Sequence, residues 1–221
     1  MTANIGDAKR RKRSAGGPAP AAPAGGANSV RIIGGQWRGR RIGFPAAAAL
    51  RPTPDRVRET LFNWLQGSLA GARCLDLFAG SGALGLEALS RGAAEVVFVE
   101  RDPVVASALA ANLRHLEPPA ATPAGQAGAR GRVVEADAFA FLAGPPRPFD
   151  VVFLDPPYAA GRLAELCRLL DSGVWLAPRA FVYLERAARD GQPALPPSWS
   201  QWRELRAGGV SASLARRVEA T

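Results

Sequence analysis

From residue 73 onward the chain alternates short apolar runs rich in Val, Leu and Phe with segments of helical spacing, and nothing else restricts its fold as strongly. Strands are predicted at 73–78, 95–100, 132–136, 149–154 and about 180–185, and helices at 82–91, 103–115, 138–143 and 160–171. Strands that are apolar on both faces and separated by helices form a parallel sheet with helices packed on either side. The Pro/Ala/Gly-rich stretch 118–131 reads as a surface loop ahead of the third strand. Residues 198–217 hold two further β-like stretches around Gly208-Gly209, which predicts a closing antiparallel hairpin. The expected class is α/β, with a mostly parallel seven-stranded sheet that ends in that hairpin.

The chain before residue 73 has a different character. Residues 1–29 join Lys9-Arg10-Arg11-Lys12-Arg13 to Ala/Pro/Gly-rich sequence, which cannot bury enough apolar surface to offset its ordering entropy. A disordered basic tail is expected there. Residues 30–43 hold β-like stretches broken by glycines, a small hairpin carrying Trp37 among Arg31, Arg38, Arg40 and Arg41. A helix is predicted to start at Thr53-Pro54, a capping hydroxyl followed by proline in the first turn. Val57, Leu61, Trp64 and Leu65 share one face of it, with Arg56 and Glu59 off that stripe. These boundaries divide the chain into a tail (1–29), a hairpin-and-helix extension (30–70) and a main domain (71–221).

Charge follows the same division. Residues 1–58 carry 12 Lys/Arg against Asp7 and Asp55, while residues 59–221 carry 16 against 17 acids. A near-neutral body with a basic amino-terminal arm fits a polyanionic partner; for the tail itself, a solvated extension fits equally well. No run approaches the ~20 apolar residues of a membrane span, and no apolar stretch follows the basic one as in a signal peptide. A soluble, cytoplasmic monomer without membrane association is expected. Cys74 and Cys167 match neither metal nor disulfide spacing, so two reduced core thiols and no metal site are expected.

The chemistry concentrates at strand ends. Asp76-Leu77-Phe78-Ala79-Gly80-Ser81-Gly82 is a glycine turn after the first apolar strand, and Gly80-Ser81-Gly82-Ala83-Leu84-Gly85 matches the G-x-G-x-x-G fingerprint of dinucleotide folds. Glu100 lies twenty residues beyond Gly80, so an NAD enzyme competes on this pattern. Asp76 argues against it. A pyrophosphate wants amides and no nearby carboxylate, whereas the sulfonium and ammonium of S-adenosyl-L-methionine are attracted by one. Further acids end the later strands, and ligands of open parallel sheets bind outside the carboxyl ends of the strands. Glu100 is expected to take the ribose hydroxyls, and Asp102 to cap a helix. Asp137 is either a cap or the partner of the adenine amine, with Ala138 beside it.

Asp155-Pro156-Pro157-Tyr158 follows the apolar run Val151-Val152-Phe153-Leu154. A carboxylate, two rigid prolines and an aromatic ring at a strand end make a platform for a flat base bearing an exocyclic amine. The lone pair of such an amine is delocalised into its ring. Asp155 and the backbone carbonyl of Pro156 can accept its N–H bonds and turn that lone pair toward a methyl donor. Prolines stiffen the turn, and Tyr158 can stack on the base for roughly 1–3 kcal/mol. A packed strand-ending turn would use the same residues, and only the glycine turn upstream favours the chemical reading. Guanine and adenine both present such an amine, so the platform does not choose between them.

From about Val30 to Val218 the sequence resembles the bacterial 16S rRNA guanine-N2 methyltransferases of the small ribosomal subunit. The resemblance is carried by Arg31-Ile32-Ile33-Gly34-Gly35 with Trp37-Arg38-Gly39-Arg40, by Arg51-Pro52-Thr53, by Asp55 through Leu65, by Asp76 through Arg91 and by the Asp155 platform. The platform is common to many amino-methyltransferases, whereas the segment from Arg51 to Leu65 is far more specific. The resemblance implies a Rossmann-like, class I S-adenosylmethionine-dependent methyltransferase fold. It also implies methylation of one guanine N2 in 16S rRNA, within an assembled or partly assembled subunit, with S-adenosyl-L-homocysteine as product. It makes Asp76, Phe78, Gly80, Ser81, Gly82, Glu100, Asp137, Ala138, Thr53 and Arg56 candidate cofactor residues. Arg31, Trp37, Arg38, Arg40, Arg41, Arg51 and Arg58 become candidate RNA contacts. By spacing alone Thr53, Arg56 and Arg58 read as the exposed face of a helix. An adenine-N6 methyltransferase needs the same chemistry, but those acting on DNA usually carry a separate recognition domain, for which this chain has no length. An inactive RNA-binding scaffold is the remaining alternative.

Overall fold

The computed structural model describes residues 28–46, 53–117, 130–156 and 160–218. The expected tail up to residue 27, most of the 118–131 loop, Arg51, Pro157 and Tyr158 lie outside the described residues. The described chain opens with a two-stranded antiparallel hairpin of β1 (Asn28–Arg31) and β2 (Arg41–Phe44), followed by α1 (Asp55–Trp64). Then come β3 (Arg73–Asp76), α2 (Ala83–Ser90), β4 (Glu95–Glu100), α3 (Pro103–Leu116), β5 (Gly131–Glu135), α4 (Ala138–Leu142), β6 (Phe149–Leu154) and α5 (Ala160–Ser172). β7 (Leu176–Ala187), β8 (Trp199–Ala207) and β9 (Val210–Arg217) complete a seven-stranded sheet of order β5-β4-β3-β6-β7-β9-β8. Strands β3 to β7 run parallel and β8–β9 form the antiparallel hairpin. The α/β class, the parallel sheet and the closing hairpin are as the sequence predicts.

Alternation along the strands separates two cores. Val151 and Phe153 of β6 face a cluster built with the hairpin, α1, α2 and α3, while Val152 and Leu154 face a cluster built with α4 and α5. Helix α2 is buried at every position, as expected of a helix apolar almost all round. Helix α3 starts as its sequence dictates: Pro103 occupies the first turn and Asp102 accepts hydrogen bonds from Val104 N (2.8 Å) and Val105 N (3.1 Å).

The polar exceptions on α2 fix the hairpin in place. Glu87, fully buried, accepts hydrogen bonds from the amides of Ile33 (2.7 Å) and Gly34 (2.8 Å) and from Arg91 Nε (2.7 Å). Ser90 donates from its hydroxyl to Gly34 O and accepts from the Trp37 amide. Arg58, 0 % exposed, reaches over from α1 to Asp55 at 2.7 Å, to the Arg31 carbonyl at 2.8 Å and toward Glu87 at 3.8 Å. Two expected RNA contacts are corrected by this packing. Trp37 is buried in the core with the Arg130 guanidinium over its ring, and Arg58 is an internal tie between α1, α2 and the hairpin. The helix start also differs: Pro54, not Thr53, holds the N-cap position, and no side chain caps α1.

Candidate active site

Beyond β3 the chain turns to one side of the sheet for β4 and β5, and for β6 and β7 it returns to the other, so β3 and β6 flank the switch point. Ligands of such sheets sit in the crevice at the carboxyl ends of the strands there. Asp76 ends β3 in register with Phe153 of β6, two residues before Asp155. Both acids therefore arrive at one crevice because two adjacent parallel strands end there. Glu100 arrives with β4, and Glu185 near the end of β7.

The glycine turn is shaped by what surrounds it. Gly82 takes φ +79° as the N-cap of α2, a left-handed conformation that suits glycine. A Cβ on Gly85 would come within 2.2 Å of the Phe98 ring, so glycine lets α2 lie close on β4. Asp76 Oδ2 accepts the Gly85 amide at 3.0 Å, and Glu100 Oε2 accepts the Gly80 amide at 2.9 Å. Glu100 Oε1 also accepts the Asp102 amide at 2.9 Å. Ser81 is buried, and Phe78 packs half-buried against the second core. Asp137 caps α4 by accepting from Phe139 N (2.9 Å) and Ala140 N (3.3 Å), with Ala138 buried behind it.

Around Asp155 the structure adds residues that the sequence reading missed. The Thr53 hydroxyl, buried, donates to Asp155 Oδ2 at a long 3.4 Å, spanning 102 residues of sequence. Thr53 is thus no exposed helix residue but part of the site's wall, whereas Arg56 stays on the exposed face. The Tyr183 hydroxyl donates to Glu185 Oε2 at 2.7 Å, with both side chains buried. Their one signal in sequence is a spacing of two along an apolar strand, which places Tyr183 and Glu185 on the same face.

Burial without countercharge defines the electrostatics. Burial raises the Asp76 carboxyl to about 7, the Gly85 amide opposing it and the Glu100 carboxylate adding to it. Asp155 is pushed well above the ordinary carboxylate range by burial and then by the charges of Glu185 and Asp76, with the Thr53 hydroxyl opposing. Glu185 is raised by burial and lowered by the hydroxyls of Tyr183 and Thr53. An amide and two hydroxyls are what hold these acids down, so the crevice favours the arrival of positive charge. A separate cleft of about 380 Å³ between Ala70-Gly71 and Pro178 lies toward the opposite ends of the strands. Asp150, its one acidic lining residue, already accepts the Arg73 amide at 2.8 Å.

Among the expected RNA contacts, Arg38 and Arg41 are exposed on the hairpin and Arg31 has 59 % of its side chain exposed. Arg40 is half-buried and donates to the His115 carbonyl at 3.3 Å. A family profile described as Conserved hypothetical protein 95 matches residues 30–216. The chain belongs to that family. Ribosomal RNA small subunit methyltransferase D of Escherichia coli strain K12 is 48 % identical over 192 residues, 87 % of this chain and 92 % of that relative. Its counterpart from Haemophilus influenzae is 42 % identical over 184 residues, 82 % of this chain and 91 % of the relative. A solved structure described as putative methyltransferase yhhF from Escherichia coli superposes with TM-score 0.75 at 46 % identity, covering 86 % of this chain and 99 % of that one. The family match takes in the hairpin and α1 together with the sheet, so both belong to the shared architecture.

Proposed function

We propose that this protein transfers a methyl group from S-adenosylmethionine to the exocyclic N2 amine of a guanine in 16S rRNA. The observation that carries the reading is the set of enclosed carboxyls, Asp76, Asp155 and Glu185, converging beside a glycine turn, with no cationic side chain among the described residues holding them down. Such a crevice fits a cationic ligand and would repel a pyrophosphate. The ribosomal RNA and the small subunit come from the Escherichia coli and Haemophilus influenzae relatives, both methyltransferases by name and similar over most of their length.

When bound, S-adenosylmethionine supplies an electrophilic methyl on a positively charged sulfur. The protein's own contribution is placement. Glu100 keeps lone pairs free beyond the Gly80 and Asp102 amides, enough to accept ribose hydroxyls. Asp137 engages only Oδ1 in its cap, leaving Oδ2 for the adenine amine. Asp155 and the Pro156 carbonyl accept the two N–H bonds of the target amine, so its lone pair points along the line of transfer and developing charge meets a carboxylate. Tyr158 stacks on the base. Exposed Arg31, Arg38, Arg41 and Arg56 take RNA phosphates outside the crevice, on a monomer that meets the rRNA in an assembled or partly assembled subunit.

Methyl-labelled S-adenosylmethionine and undermethylated small-subunit particles test this, with the product nucleoside identified by mass spectrometry. Label is expected on guanine N2, and label on adenine N6 of duplex DNA alone would contradict the reading. Asp155→Ala is expected to bind the cofactor within about threefold of the native protein while losing at least 100-fold in turnover.

A further inference from the structure

Two irregularities of the sheet meet near the amino ends of its parallel strands. Between the pairs Phe149–Leu176 and Val151–Phe181 one residue intervenes on β6 and four on β7, so residues 177–180 bulge out of the ladder. Within that bulge Arg179 takes φ +63°, a left-handed backbone that residues other than glycine resist. On the edge strand β8 the register slips between Gln201 and Arg203, which leaves Trp202 as the extra residue. Successive residues of a regular strand point to opposite faces. Here Arg203 instead lies over Trp202, its guanidinium 4.7 Å from the ring centroid. The Trp202 ring is 5.1 Å from that of Phe181, and the Arg216 guanidinium is 5.7 Å from Phe181 on the neighbouring strand. The result is one column, Arg203–Trp202–Phe181–Arg216. Phe181, Arg216 and Arg179 also line the cleft of about 380 Å³. Packing does not account for the column, since Trp202 keeps 39 % of its surface exposed. Bulges and charges blunt a sheet edge, whereas an exposed indole there invites contact. The guanidiniums of Arg203 and Arg216 meet rings, and the nearby carboxylates are engaged elsewhere: Glu204 by Arg186 and Arg206, Asp150 by the Arg73 amide.

We propose that this column and the cleft beside it bind an unpaired nucleotide of the substrate RNA, at a second contact remote from the methyl-transfer crevice. The identity of the RNA rests on the methyltransferase reading given above. An unpaired base stacks on aromatic rings and on guanidinium planes, so Trp202 and the exposed Arg203 offer it a face. Its phosphates meet Arg203 and Arg216. In the cleft, Asp150 Oδ2 accepts the Arg73 amide, and Oδ1 can take an amino or imino N–H from the edge of the base. Bases inside a duplex are stacked on each other and present no face to the column. Phe181 pairs with Val151, four residues before Asp155, which puts the column more than about 13 Å from the crevice at ~3.3 Å per residue. The nucleotide bound here is therefore not the one methylated. It anchors another segment of the same RNA and so limits which guanine can reach Asp155.

Two measurements on the full chain test the site. The first is binding of a short oligouridylate, free and paired with oligoadenylate. Trp202→Ala is expected to weaken binding of the free strand by about 5- to 100-fold, the range for one lost base–aromatic stack, and to leave binding of the duplex unchanged. Trp202→Phe is expected to stay within about threefold of the native protein, and Arg216→Ala to lower the salt slope by about 1. The second is methylation of undermethylated small-subunit particles, where Trp202→Ala is expected to raise KM with kcat and cofactor affinity unchanged. Native affinity for the free strand together with a native KM would overturn the site. A dimer in sedimentation that Trp202→Ala dissolves, with RNA binding unaltered, would give the face to a second copy and overturn it equally. Should Trp202→Ala not fold, Arg203→Ala, which removes only an exposed guanidinium, decides by the same two readouts. Should the native protein leave rRNA unmethylated while Trp202→Ala still weakens binding of the free strand, the substrate assignment falls and the nucleotide site stands.

Discussion

Asp76 ends β3 with a carboxyl raised to about 7, chiefly by burial, and this couples folding, pH and ligand binding at one residue. Its proton is held more tightly in the folded chain than in the unfolded one. Stability from this group is therefore complete below the ordinary carboxylate value of 3.8 and is lost as pH rises through about 7. At about 1.4 kcal/mol per unit, the loss is on the order of 4 kcal/mol. A cation in the crevice reverses the preference, so affinity for S-adenosylmethionine is expected to rise with pH up to about 7 and then level. Asp76→Asn, which keeps an acceptor for the Gly85 amide, is expected to flatten the fall in unfolding free energy between about pH 4 and about pH 7. It should also reduce the pH dependence of cofactor affinity, the remainder coming from Asp155 and Glu185. Urea unfolding and calorimetry across that range measure both, and slopes equal to the native ones would show that Asp76 is ionised in the free protein.

Among the elements, the hairpin depends on α2 more than on its own two strands of four residues each. A two-stranded hairpin is marginal alone in water. Here its turn is held by Glu87 and Ser90 and its far side by Arg58. Glu87→Ala would leave the buried Ile33 and Gly34 amides without their acceptor and take a carboxylate from Arg91 and Arg58, at a cost of about 3–5 kcal/mol. Denaturant unfolding is expected to show that loss, with faster hydrogen exchange at Ile33 and Gly34. A loss below about 1 kcal/mol would mean that the hairpin holds on by its apolar contacts alone. The same element shows where the sequence was legible. The glycine turn, the Asp102 cap and the strand rhythm are local patterns, set by spacing within a few residues, and the structure has them where spacing put them. The family resemblance makes Trp37 and Arg58 candidate RNA contacts, and spacing alone puts Arg58 on the exposed face of a helix. Their burial is decided by partners 53 and 29 residues away, Ser90 and Glu87. Glu185 escaped notice because it ends an apolar strand, and only the neighbouring β6 shows that it faces Asp155.

Across the whole molecule, the proposed function gives the acidic crevice and the exposed arginines opposite tasks, one taking a cation and the other a polyanion. Arg31, Arg38 and Arg41 lie on the hairpin, and Arg56 on the adjoining helix. Replacing Arg38 and Arg41 by Ala is expected to weaken binding to small-subunit rRNA and reduce the slope of log affinity against log salt by about 2. Cofactor affinity should not change. An unaltered slope would place the RNA elsewhere on the surface.

Helix α1, which carries Thr53 to Asp155 at its leading end, also packs against β8, one of the last strands of the chain. During synthesis α1 emerges early, yet the surface it packs on is not complete until residues 199–207 have left the ribosome. Its apolar face, Val57, Leu61 and Phe62, is covered only in part before then, by the hairpin, α2 and later Phe153. The wall beside Asp155 is therefore assembled from segments far apart in the sequence, and it is not whole until β8 has been made.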